Sequence, residues 1–135
     1  VFCEVGKKLP EDDYNAEEYN KLLKEFIQAG ADKVILEARE SGVSVGVMDD
    51  QGNPIIDRLD KVLEDIDTKK ILFEAPKKSQ QVFFLKKFGP ETSLGNIHPN
   101  DAISVETLRR GMRGDTMNDF YNVIVDRHLK KQGKK

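Results

Sequence analysis

A chain of 135 residues, 34 % charged and 38 % hydrophobic, suffices for one soluble domain with a modest core. Its net charge of −2 leaves no basic surplus for coating nucleic acid or an anionic membrane surface. No apolar run approaches the ~20 residues needed to span a bilayer, and the lone Cys3 excludes an internal disulfide and fits a reducing cytoplasm.

Val1-Phe2-Cys3-Glu4-Val5 reads as a strand closed by Gly6 and the pair Lys7-Lys8. It has no signal peptide or initiator methionine ahead of it, so the expectation is a chain trimmed at its start. A helix is predicted over residues 15–29, because Tyr19, Leu22, Leu23, Phe26 and Ile27 recur at helical spacing and Gly30 is a good stop. A second strand, 33–38, leads into Arg39-Glu40-Ser41-Gly42, and residues 42–54 (GVSVGVMDDQGNP) are the least regular stretch. A helix over 56–66 places Leu59, Val62, Leu63 and Ile66 on one face. Ile71-Leu72-Phe73 is the third strand, and Pro76 ends its ladder for want of an N–H. A helix over 79–88 follows and stops at Gly89-Pro90; then come a weak strand, 92–97, and helices over 100–112 and 118–131.

The β-α alternation, four times over, calls for parallel pairing with right-handed crossovers. Either an open doubly wound sheet or part of a (β/α)8 barrel satisfies it. Aligned by eye, FCEVGKK, ILEARES and LFEAPKK put Glu4, Glu37 and Glu74 at one level. Carboxylates do not belong inside a buried strand but are tolerated at its C-terminal end, where α/β folds open onto their sites. Four βα units make half a barrel, with two open edges and a bare inner face. Completion then comes from a missing half or from a second copy.

Strand alternation puts Glu4, Gly6 and Lys8 on one face, and Glu37, Arg39 and Ser41 on one face of the next strand. The candidate cluster is Glu4, Lys8, Glu37, Arg39, Glu74 and Asn96. Three carboxylates can hold Mg²⁺ directly or through water. An arginine can clamp a phosphate or carboxylate, and a crowded lysine can act as acid or base. The same residues could equally form structural salt bridges, with Glu37–Arg39 a brace. Arg109, Arg110 and Arg113 form a basic helix end that could bind phosphate or simply be solvated. His98 and His128 lack the spacing of a metal pair, and Cys3 reads as packing. No P-loop, G-x-G-x-x-G or G-x-S-x-G is present.

Five stretches in order, EVGKK, ADKVILEARESG, ILFEAPKKSQQ, FGPETSLGNI and ETLRRGMRGDT, resemble the successive signatures of the phosphosulfolactate synthase family. Plant heat-stress-associated proteins share these signatures. The resemblance implies an α/β fold, a TIM (β/α)8 barrel of which this chain is the C-terminal half, strands five to eight. Residues 1–117 are then the half-barrel, and 118–135 a C-terminal helix with a basic tail. It implies a carbon–sulfur lyase of coenzyme M biosynthesis. That enzyme adds sulfite to phosphoenolpyruvate with Mg²⁺, giving (2R)-2-O-phospho-3-sulfolactate. Lys8 is then the general acid, and Glu4, Glu37 and Glu74 position Mg²⁺ and its waters. Arg39, with Ser41, Asn96 and Lys7, binds the two anionic substrates. The expected partners are these substrates and either a second copy or the missing half-barrel. Competing readings are a non-catalytic scaffold or stress-associated relative, and an enolate-type lyase with another nucleophile.

Overall fold

A computed structural model describes residues 1–6, 15–37, 46–49, 51–131 and 133. The strands are β1 (Phe2–Val5), β2 (Lys33–Leu36), β3 (Ile71–Glu74) and β4 (Ser93–Gly95). The helices are α1 (Ala16–Gln28), α2 (Ile56–Val62), α3 (Lys78–Phe88), α4 (Ala102–Arg109) and α5 (Met117–Lys131). All four strands lie in one parallel sheet, in the order β1-β2-β3-β4.

That order separates the two architectures the sequence allowed. A doubly wound sheet reverses its order at a switch point, whereas a barrel sets each new strand beside the last. Burial agrees. Val5, Val34, Leu36, Ile71 and Phe73 are buried and pack with Leu23 of α1, Leu59 of α2 and Phe84 of α3. The alternate residues Ile35, Leu72 and Glu74 are only half-buried, and Glu4 is exposed. A doubly wound sheet would be covered on both faces; here the helix layer covers one. This is a (β/α)4 half of a (β/α)8 barrel.

The aromatic centre of the core is Phe73, stacked on Phe84 at 4.5 Å and Phe88 at 4.9 Å between ring centroids. A smaller core joins Leu85 of α3, Leu108 of α4 and Phe120 of α5, with Val82 and Leu94 against it.

Several elements end earlier than periodicity suggests. α1 begins after Asn15, whose side chain accepts from the Glu17 and Glu18 N–H groups. α2 stops at Val62, and Asp65 turns the chain with φ 59°. Leu63 and Ile66 still reach the core from that turn, so the apolar pattern outlasts the helix. α4 ends in a Schellman closure: Met112 N–H donates to Thr107 C=O, and Gly111 N–H donates to Leu108 C=O, with Gly111 at φ 62°. Among the described residues no helix is long and apolar enough to cross a membrane.

Candidate functional site at the strand ends

Pairing fixes which residues share a level. Val5 pairs with Leu36 and Leu36 with Phe73, so one residue further on Gly6, Glu37 and Glu74 stand side by side. Glu74 pairs in turn with Gly95. Two glutamates on adjacent strands, about 4.8 Å apart at the backbone, are thus flanked by two glycines at the C-terminal edge of the sheet.

Glu4 is not in this row. It pairs with Ile35, and its level continues through Leu72 and Ser93. It shares the face of Glu37 and Glu74 but lies two residues, about 6.6 Å, below them. The alignment by eye that equated the three is therefore corrected. A slip of two residues preserves the alternation of faces, so hydrophobic pattern alone cannot detect it. Burial decides instead, by bringing Val5 level with Leu36 and Phe73.

The glycines of the row are occupied by their neighbours. A Cβ on Gly6 would stand 2.5 Å from Glu37 Cβ and 2.6 Å from its Oε2, so Glu37 lies across β1. A Cβ on Gly95 would run into Leu72 Cδ2, so Leu72 reaches up over β4. Asn96 follows in the left-handed region, φ 53°, and is exposed. Asparagine tolerates that conformation better than most side chains. Lys7, Lys8, Arg39 and Ser41 lie outside the described residues.

Two buried glutamines that sequence reasoning passed over support this edge. Gln81, 2 % exposed, donates from Nε2 to Ala75 C=O at 3.0 Å, and Ala75 N–H donates to Gly95 C=O at 3.0 Å. The residue after Glu74 is thereby held on both sides. Gln80, fully buried, donates from Nε2 to Gly52 C=O at 2.8 Å and accepts from Lys77 N–H at 3.0 Å. Lys77 Nζ donates to Gln51 C=O at 3.0 Å. The loop before α2 is thus docked on the start of α3. Asp49 shapes that loop by accepting from the Gln51 and Asn53 N–H groups and from Asn53 Nδ2. These bonds, Asn53's foremost, hold its carboxyl below the ordinary range. The available signal was two adjacent amides in a helix otherwise rich in phenylalanine.

The arginine-rich helix end is engaged in structure. Arg109 Nη1 donates to Pro90 and Thr92 C=O, both at 2.6 Å, and burial lowers its pKa. Arg110 pairs with Glu106 at 2.6 Å, and Arg113 Nη1 donates to Ser104 Oγ. His98 Nδ1 accepts from Asn100 N–H. Cys3 packs, half-buried, against the core. A cleft of about 900 Å³ runs from Phe2, Lys33 and Leu72 to Ser93 and Arg109. Phe2, Lys33 and Ser93 open their strands, so it lies toward the opposite end from the glutamate row.

Among the described residues no three His, Cys, Asp or Glu side chains stand close enough to hold a metal. Glu37 and Glu74 are nonetheless a pair of hard oxygen donors. Mg²⁺ commonly binds through one or two carboxylates, completing its shell with water and substrate oxygens. The donor set fits that ion.

Comparison with known proteins gives a consistent result. A family model described as (2R)-phospho-3-sulfolactate synthase matches residues 1–115. The chain is 48 % identical over 118 residues to a phosphosulfolactate synthase of Methanocaldococcus jannaschii, covering 86 % of this chain and 47 % of that protein. It is 44 % identical over 119 residues to a phosphosulfolactate synthase of Methanothermobacter thermautotrophicus, covering 87 % and 46 %. For the one from Bacillus subtilis the figures are 43 % over 119 residues, covering 86 % and 47 %. The chain spans about half the length of the curated relatives it matches.

Proposed function

Because this chain belongs to the (2R)-phospho-3-sulfolactate synthase family, we propose that it forms half the mouth of a barrel lyase that adds sulfite to phosphoenolpyruvate. The observation that carries this reading is the family match across residues 1–115. The carboxylate pair at the strand ends supports it.

In the proposed reaction the sulfite sulfur forms a C–S bond to the terminal methylene of phosphoenolpyruvate. The double-bond electrons move to the central carbon and into the carboxylate, as an enediolate. One proton delivered to the central carbon completes (2R)-2-O-phospho-3-sulfolactate, with the phosphate ester intact. Lys8, assigned by alternation to the face of Glu4, is the proposed proton donor, and delivery from one side sets the configuration. Glu37 and Glu74 would hold Mg²⁺, with Glu4 reaching it through water. Bound there, Mg²⁺ supplies positive charge where the enediolate oxygens develop theirs. Arg39, Ser41, Asn96 and Lys7 are proposed to bind phosphate and sulfite, two anions that repel each other without cationic help.

The test is a chimera in which this chain replaces the matching half of the Methanocaldococcus jannaschii relative. It is incubated with phosphoenolpyruvate, sulfite and Mg²⁺, and products are identified by mass spectrometry. Phosphosulfolactate is expected, with turnover abolished in Lys8→Ala and lowered about 10²-fold or more in Glu74→Gln. A folded chimera without product favours a non-catalytic relative instead.

A further inference from the structure

We propose that Gln81 is a positioning residue: from the first turn of α3 it fixes the backbone beside Glu74 and so sets that carboxylate for Mg²⁺. The proposal rests on the reading of Glu37 and Glu74 as ligands given above.

Glu74 is the last residue of β3, and the ladder gives out just beyond it. Pro76 brings no N–H. On the β4 side, Ala75 N–H donates to Gly95 C=O at 3.0 Å. In a continued parallel ladder, Ala75 C=O would accept in turn from the N–H of Ile97. Asn96, φ 53°, takes the chain out of the strand first. Ala75 is fully buried, and a buried carbonyl needs a donor. Gln81 Nε2 supplies it at 3.0 Å, in place of the missing strand partner. The residue after Glu74, about 3.8 Å away at the Cα, is thereby held from the sheet and from the helix layer at once. α3 is itself seated on β3 through the stack of Phe84 on Phe73, so the donor stands on a fixed element.

The neighbouring amide has a different task. Gln80 is fully buried too, but its Nε2 donates to Gly52 C=O at 2.8 Å and its Oε1 accepts from Lys77 N–H at 3.0 Å. The two side chains are alike in burial and chemistry, yet only Gln81 acts on the residue beside Glu74. That matters for a metal such as Mg²⁺, which demands near-ideal octahedral geometry at about 2.0–2.1 Å. A carboxylate on a loose strand end meets that demand less often. Groups that orient a ligand from behind typically cost about 10–100-fold in metal affinity when they are removed.

The test titrates Mn²⁺, a paramagnetic substitute for Mg²⁺, into the ¹⁵N-labelled 135-residue chain. Affinity is read from the broadening of the Glu37, Glu74 and Ala75 amides. Glu74→Gln should weaken binding. Gln81→Met, which keeps the length and drops the donor, should raise the apparent Kd about tenfold. Gln80→Met removes an equally buried donor and should leave the affinity unchanged. The urea midpoint should fall in both glutamine variants, because each leaves a buried carbonyl without a donor. Lower midpoints with unchanged affinity in both would make Gln81 a stabilising residue only and overturn the proposal. Weaker binding in Glu74→Gln but not in Gln81→Met overturns it while leaving the metal reading intact. Unchanged binding in Glu74→Gln overturns both. If Gln81→Met does not fold, the unsubstituted chain is titrated with Mg²⁺. The side-chain amide resonance of Gln81 should then shift more than that of Gln80, and equal or absent shifts overturn the proposal.

Discussion

At Gly6 the space a side chain would take is already filled by Glu37, whose Cβ is anchored to β2 and cannot rotate away. Gly6→Ala should therefore cost about 1–3 kcal/mol by overpacking, read as a lower urea midpoint at unchanged slope. Gly95→Ala meets only the tip of Leu72, which can change rotamer, and should cost less. Equal losses at the two sites would refute this distinction. The sequence marks Gly6 only as the close of a strand, because what requires glycine there is a neighbour 31 positions away. Asp49 gives a second prediction. Hydrogen bonds from Asn53 hold its carboxyl below the ordinary value of 3.8. The unfolded chain therefore binds a proton before the folded one does. The contribution is fully present above the unfolded pKa and is lost as pH falls through the folded one. Asp49→Asn should flatten the acid limb of a plot of urea midpoint against pH, leaving the curves parallel above about pH 5. Asp115, lowered in the same direction chiefly by its bond to Lys78, still contributes in that variant. Unchanged acid slopes would remove Asp49 from the linkage.

Elements were legible where a pattern is local. α1 follows from its apolar spacing and its stop at Gly30, α3 from its stop at Gly89-Pro90, and each strand from a short apolar run. The ends of α2 and α4 were not, because apolar residues such as Leu63 and Ile66 keep facing the core after the helix has turned away. The relation between elements was hidden further still. α5 reads as a basic final helix, yet Phe120 closes a small core with Leu85 and Leu108, and buried Thr116 Oγ1 donates to Leu108 C=O at 2.6 Å. Phe120→Ala should cost about 3–5 kcal/mol. Because that core shares no buried residue with the sheet core, the loss should be local. Amide protection should fall in α4 and α5 while the β2 and β3 amides stay slow. Equal loss of protection across all elements would show that the two cores unfold as one unit.

For the molecule as a whole, β-α alternation gave parallel pairing, but not strand order or the side the helices cover. Ile35 and Leu72 put apolar side chains on the bare face too, among Glu4, Glu37 and Glu74, so a short apolar run does not by itself mark the covered side. The level of Glu4 was equally illegible, since a two-residue slip leaves every side chain on its proper face. Only Glu37 and Glu74, whose strands pair directly with each other, come out at one level. What these carboxylates can do depends on closure. A cation about 4 Å from a developing oxyanion contributes roughly 1 kcal/mol in bulk water but about 4 kcal/mol at an effective dielectric of 20. The difference, about 3 kcal/mol, corresponds to more than 10²-fold in rate. A half-barrel leaves the glutamate row open to water and forgoes that gain. Two anions would also have to be held there by the cationic groups of one half-mouth. Assayed alone, this half should therefore give no phosphosulfolactate from phosphoenolpyruvate, sulfite and Mg²⁺, whereas the chimera that closes the barrel with the half of the Methanocaldococcus jannaschii relative should restore it. Product from the half alone would show that closure is unnecessary, and a folded but inactive chimera would count against catalysis by this half.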